Sequence, residues 1–176
     1  MGRFHSPPVP VLHIPLDKVE EWFHICCDAS SIGYGAVAYR RVVDINRKVH
    51  VTIITARSHV PLNPARASHH GSMPRLKLVA GVKAIQLIHF LQAALGRKNT
   101  NVLIWCNSEC VLKQVFDTDT AYPAFVSLSK IHAITTPAQW RYVDSARNPT
   151  DACSRGIQAH ESQKWQEFYN GLDFLW

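Results

Sequence analysis

At 176 residues and 47% hydrophobic content, the chain is long enough to bury one sizeable core, and no linker divides it. Charged residues make up 18%, too few for a self-repelling disordered chain. A formal charge of +6 favours polyanionic partners on encounter but says nothing about fold. Five cysteines without a CxxC spacing argue against a zinc ribbon or a disulfide framework. Cys26, Cys27 and Cys106 sit in apolar runs and are expected as buried, reduced thiols of an intracellular protein. The first twenty residues hold no apolar signal core and no stretch approaches 18 apolar residues. The expectation is therefore no membrane partner and a cytoplasmic or nuclear location.

Residues 1–17 carry four prolines and no helical period, and read as an extended lead-in to a domain spanning 18–176. Residues 21–28 (EWFHICCD) are short and aromatic, the pattern of a strand. Gly33 and Gly35 mark a turn around Tyr34, and residues 35–41 and 50–56 read as two further strands joined antiparallel. Residues 57–73 read as a polar loop with proline and histidine. After Pro74, apolar residues recur at three- and four-residue steps, predicting a long amphipathic helix over about 74–95 with Gly96 at its end. The apolar run 101–106 (NVLIWC) predicts a central strand buried on both faces. Ser108 is placed to cap a helix to about 115, and a second helix covers 124–133. A last strand at 139–143, a short helix over 150–155 and a terminal helix over 161–169 complete the order. It predicts an α/β domain: a mixed five-stranded sheet with three leading antiparallel strands and helices on both faces.

Four segments carry a closer resemblance: CDASSIGYGAVAYRR at 27–41, PRLKLVAG at 74–81, IWCNSECVL at 104–112 and WRYVDSARNPTDACSRG at 140–156. In order and separation they resemble the ribonuclease H-like domain of Pao/BEL-type retrotransposon polyproteins, and KWQEFYNGLDFLW resembles the segment that closes that domain. The resemblance implies the ribonuclease H fold. It also implies a carboxylate in each of the four pieces, because two divalent cations roughly 4 Å apart must be held to activate water and stabilise the leaving oxygen. Magnesium wants hard anionic oxygen ligands.

Mapped onto this chain, only Asp28 and Asp151 keep the family's carboxylates. Lys77 falls where the helix glutamate is expected and Asn107 where the fourth-strand aspartate is expected. An amide still offers a carbonyl oxygen, but a protonated lysine ligates nothing. An ammonium about 5 Å from a divalent cation is repelled by roughly 6–7 kcal/mol at an effective dielectric near 20. These four positions read as vestigial, with no catalytic residue and no metal expected. Mg²⁺ enters only if the domain is an active nuclease after all, and a single-metal site on Asp28 and Asp151 stays open beside it. Glu109 lies two residues beyond Asn107 at a helix start, where side chains two apart do not share a face. Lys77 also has a constructive role available: an ion pair with Asp28 or Asp151 that replaces metal as the counter-charge.

Arg57, Arg66, His69, His70 and Arg75 form the nucleic-acid-binding candidates, with His59 beside them; the alternative is a solvated loop. Arg40, Arg41, Arg47 and Lys48 extend a basic face on the second hairpin. Trp105 and Trp140 read as core. The resemblance and helical spacing imply that most of the aromatic terminus Trp165, Phe168, Tyr169, Phe174 and Trp176 packs back on the domain, and any part that stays exposed is a candidate protein-binding surface. The leading expectation is a catalytically inactive, retrotransposon-derived ribonuclease H-like module that binds a protein partner, with at most weak affinity for RNA or RNA–DNA hybrid. The alternatives are a metal-dependent ribonuclease H cleaving RNA in RNA–DNA hybrids, and a non-catalytic nucleic-acid-binding domain.

Overall fold

The computed structural model describes residues 17–60, 73–96, 101–117 and 125–176. Strands β1 (Lys18–Ala29), β2 (Tyr34–Asp44) and β3 (Val49–His59) come first, followed by helix α1 (Met73–Ala94) and strand β4 (Val102–Cys106). Helices α2 (Glu109–Phe116) and α3 (Phe125–His132), strand β5 (Trp140–Tyr142), and helices α4 (Asp151–Arg155) and α5 (Ser162–Asn170) follow. The five strands form one mixed sheet in the order β3-β2-β1-β4-β5, the first three antiparallel and the last two parallel to β1 and β4. This is the α/β architecture the patterning predicts.

β1 is the centre. Residues 23–29 are buried without a break, because α1 covers one face and the C-terminal elements the other. Phe23, Ile25 and Cys27 face α1 together with Ile104 and Trp140, while Cys26 joins Val37, Tyr39, Cys153, Leu172 and Leu175 on the opposite face. The five cysteines are all free, and four of them are buried, Cys110 being the exposed one. α1 is long and apolar enough by composition to cross a membrane, yet many of its apolar residues between Leu78 and Leu91 are buried in the fold.

The hairpins run longer than their patterning predicts. Residues 42–44 continue β2, because Val42 and Val43 are buried and Val43 pairs with Val49. Asp44 then closes the turn: its Oδ1 accepts from the backbone N–H groups of Asn46 and Lys48, and Arg47 takes the left-handed conformation (φ 64°). Arg57, Ser58 and His59, expected in the loop, belong to β3, since Ala36, Gly35 and Tyr34 supply their partners. On the basic hairpin face, Arg47 and Lys48 are exposed, while Arg40 and Arg41 are ion-paired. Arg40 is bonded to Glu21, and Arg41 to Glu20 and the carbonyl of Leu175. Both are half-buried.

β4 is not buried on both faces. Leu103 and Trp105 are only half-buried, because short segments rather than a helix layer cover that side. Trp105 lies between the His24 and Phe174 rings and donates its indole N–H to His24 Nδ1. Burial, with Arg41 nearby, lowers the His24 pKa to about 4 and keeps the ring neutral. Tyr39 donates its hydroxyl to the Phe168 carbonyl, so β2 holds both α5 and the terminal turn.

Candidate functional site

Parallel pairing of β1 and β4 sets Cys27 opposite Cys106, so Asp28, near the end of β1, and Asn107, just past β4, lie side by side. α1 crosses above them and delivers Lys77 one turn from its start. The Lys77 ammonium lies 3.1 Å from Asn107 Oδ1 and 3.7 Å from Asp28 Oδ1. Asn107 uses its other end as well, donating Nδ2–H to Ser145 Oγ at 3.0 Å. An aspartate there has no hydrogen to give Ser145 and would meet Lys77 as a second carboxylate.

The Asp28 side chain is 6% exposed, and its Oδ1 is buried without a hydrogen bond, facing the Lys77 ammonium. Burial pushes the Asp28 carboxyl above the usual aspartate range, and the nearby negative Asp151 adds to this. The Ala29 N–H, Lys77 and Asn107 pull it back down. Lys77 therefore acts as the counter-charge of Asp28.

Asp151 opens α4 at the edge of the same site. It is half exposed, and Arg155 one turn on binds its Oδ1 at 2.6 Å. No Lys77–Asp151 pair forms among the described residues; of the two pairings open to Lys77, the structure holds the one to Asp28. A cavity of about 220 Å³ lies beside Asp151, lined by Arg155, Lys164, Glu167 and Phe168 among others.

α4 is held by its backbone. Ser30 Oγ donates to the Ser154 carbonyl and Ser58 Oγ to the Cys153 carbonyl. Asn148 donates its side-chain N–H to the Cys27 carbonyl and accepts from Thr150 N, tying the approach to α4 directly to β1. A Cβ on Gly33 would lie 2.7 Å from the Ser154 carbonyl oxygen, and one on Gly35 2.4 Å from the Arg57 carbonyl oxygen. These two glycines are required by close approach of chains, which lets α4 sit on the β1–β2 turn.

A two-cation centre fits this donor set poorly. It offers one buried carboxylate, one amide oxygen, and a second carboxylate already paired to arginine, with an ammonium facing the first two. Among the described residues, no group of three or more His, Cys, Asp or Glu converges as metal ligands. Glu109 is exposed in the first turn of α2.

A family model for the Pao retrotransposon-like RNaseH-like domain matches residues 14–108, more than half of the chain. The chain belongs to this family. The match takes in Asp28, Lys77 and Asn107, while Asp151 lies beyond it. A search of curated proteins finds no match. Among solved structures, this Pao-type domain is similar to RNase H1 from the archaeon Halobacterium salinarum, with 14% identity, TM-score 0.45, 82% of this chain and 98% of that one covered. It is also similar to an N-terminal RNase H domain from Mycobacterium tuberculosis, at 12% identity and TM-score 0.45, covering 81% and 97%. LC11-RNase H1, solved in complex with an RNA/DNA hybrid, shares 12% identity with TM-score 0.38, covering 73% and 88%. A shared chain path does not carry chemistry with it.

Of the nucleic-acid candidates, Arg66, His69 and His70 lie outside the described residues. Arg57 on β3 and Arg75 on α1 are exposed. His59 stacks on Tyr34, and burial together with Lys83 and Arg57 lowers its pKa. Phe174 and Trp176 are the exposed members of the terminal aromatic cluster, at 44% and 57%. Patterning missed Ser145, Asn148 and Arg155. Two of them had a signal. Asn148 precedes Pro-Thr, an Asx-turn context, and Arg155 stands four residues after Asp151 on a helix. Ser145 had none.

Proposed function

We propose that this domain is a catalytically inactive member of its family, kept as a protein-interaction scaffold. The observation that carries the reading is the Lys77 ammonium, placed within 4 Å of both Asp28 Oδ1 and Asn107 Oδ1. Metal-dependent phosphodiester cleavage needs anionic ligands around two cations, and here a tethered cation satisfies the central carboxylate instead. A divalent ion approaching Asp28 meets the repulsion of Lys77, and Asp151 offers a partner already engaged by Arg155.

The surrounding architecture supports a retained role rather than decay. Hydrogen bonds from Ser30, Ser58 and Asn148 and two close glycine contacts fix α4 on the hairpin, so a foldable domain persists around an altered centre. Binding is then the remaining task, with a protein as the main partner and RNA or hybrid as a weak one. The site residues proposed for catalysis and for metal are none.

The test is incubation of the full chain with a labelled RNA–DNA hybrid and Mg²⁺ or Mn²⁺. No cleavage above a protein-free control is expected. Cleavage that disappears in Asp28→Asn would overturn the proposal and restore the metal-dependent ribonuclease reading.

A further inference from the structure

We propose that the outer edge of β3, over residues 55–59, receives an acidic, extended polypeptide segment as a sixth strand. This names a partner chemistry for the scaffold reading above and rests on it, but not on the loss of catalysis.

β3 is bonded to β2 on one side and to no other described strand on the other. None of its eleven residues is buried, in contrast to the unbroken buried run of β1. Unpaired edge N–H and C=O groups are a template for another chain, and proteins usually blunt them with lysine, proline or inward charge. β3 has no lysine, proline, aspartate or glutamate. Its one irregularity is a register shift against β2 between Ala38 and Tyr39, which leaves Ile54 unmatched. The strand is regular again from Thr55 onward.

Charge selects the occupant. Thr55, Arg57 and His59 point to the α1 side of the sheet, where alternation places them together. α1 lies over β1 and β2, so among the described residues no helix covers this strip, and the exposed Arg57 guanidinium rests 5.2 Å above the half-exposed Phe90 ring. Lys83 of α1 and Arg57 each lie close enough to His59 to act on its ring. Neither Arg57 nor Lys83 pairs with a carboxylate among the described residues. A strand added here presents every second side chain to those two cations, which glutamates or aspartates would satisfy. A second copy of β3 would bring arginine toward arginine with no acid on either strand. Nucleic acid could neutralise the cations but cannot continue the ladder of backbone hydrogen bonds.

The probe is a fluorescent nine-residue peptide of alternating valine and glutamate, with a valine–lysine peptide as control. At low salt, the acidic peptide is expected to bind the full chain, read by anisotropy, and to slow amide hydrogen exchange at residues 55–59. The double variant R57E/K83E, checked for folding by circular dichroism, is expected to bind at least tenfold more weakly, while the basic peptide does not bind. No slowing at β3, equal binding of the two peptides, or unchanged affinity in R57E/K83E would each overturn the proposal. Displacement of the acidic peptide by an RNA–DNA hybrid without β3 protection would also overturn it, assigning the surface to phosphate. Hybrid cleavage is measured separately, so failure here leaves the inactive-domain reading to stand or fall alone.

Discussion

The two halves of the altered centre are held by different physics. Asp28, Lys77 and Asn107 form a closed half in which charge and hydrogen bonding hold buried and half-buried side chains together. Asp151 and Arg155 form an open half, exposed to water, whose position comes from the backbone contacts of α4 with the β1–β2 turn and β3. The contrast teaches that a site's framework and its charges can part company. Close packing keeps α4 in place whatever Asp151 does, whereas the closed half depends on which ionic groups occupy it.

The largest expected effect lies in the packing of the open half. Gly35→Ala would set a Cβ against the Arg57 carbonyl and the Cys153 side chain, and should cost about 3 kcal/mol in chemical denaturation. A loss below 1 kcal/mol would mean that α4 does not hold the hairpin as described.

Next comes the charge of the closed half. Lys77→Met leaves Asp28 buried without its cation and should cost about 2 kcal/mol at pH 7, somewhat less than a fully buried pair because Lys77 is partly exposed. Adding Asp28→Asn should restore most of that loss. The sign of the pH dependence follows from the raised Asp28 pKa. Native Asp28 holds its proton above the ordinary aspartate value, so its contribution favours folding at acid pH and fades as pH rises through the folded pKa. The Lys77→Met defect should therefore grow from acid to neutral pH. A defect that is constant across that range would separate Lys77 from Asp28.

Ser30→Ala removes the bond to the Ser154 carbonyl and the acceptor for the Ile32 and Gly33 N–H groups. A loss of about 1 kcal/mol in thermal unfolding is expected. The smallest effect belongs to Asp151→Asn. An exposed pair with Arg155 contributes little, so stability should change by less than about 0.5 kcal/mol. Mn²⁺ should shift the melting temperature of neither this variant nor the wild type. A Mn²⁺ shift that Asp151→Asn abolishes would make the open half a metal site.

Element order was legible because apolar periodicity switches clearly between strand and helix at Pro74 and again at residue 101. Lys77 and Asn107 stood out because the motifs around them are otherwise intact. The lengths of the hairpins were not legible, since residues 42–44 and 57–59 become strand through pairing with partners elsewhere in the chain. The half-burial of Trp105 was hidden for the same reason: an apolar run does not say how thin a layer will cover it.

The amino-acid sequence alone determined that a lysine and an amide stand among two aspartates in this fold, because side-chain chemistry is fixed before any folding occurs. Which carboxylate Lys77 meets, that Asn107 reaches Ser145, and that Asp151 turns to Arg155 were decided by tertiary structure. Those choices depend on parallel pairing of β1 with β4 and on glycine-sized gaps beneath α4, distances of a few ångströms that no linear spacing encodes.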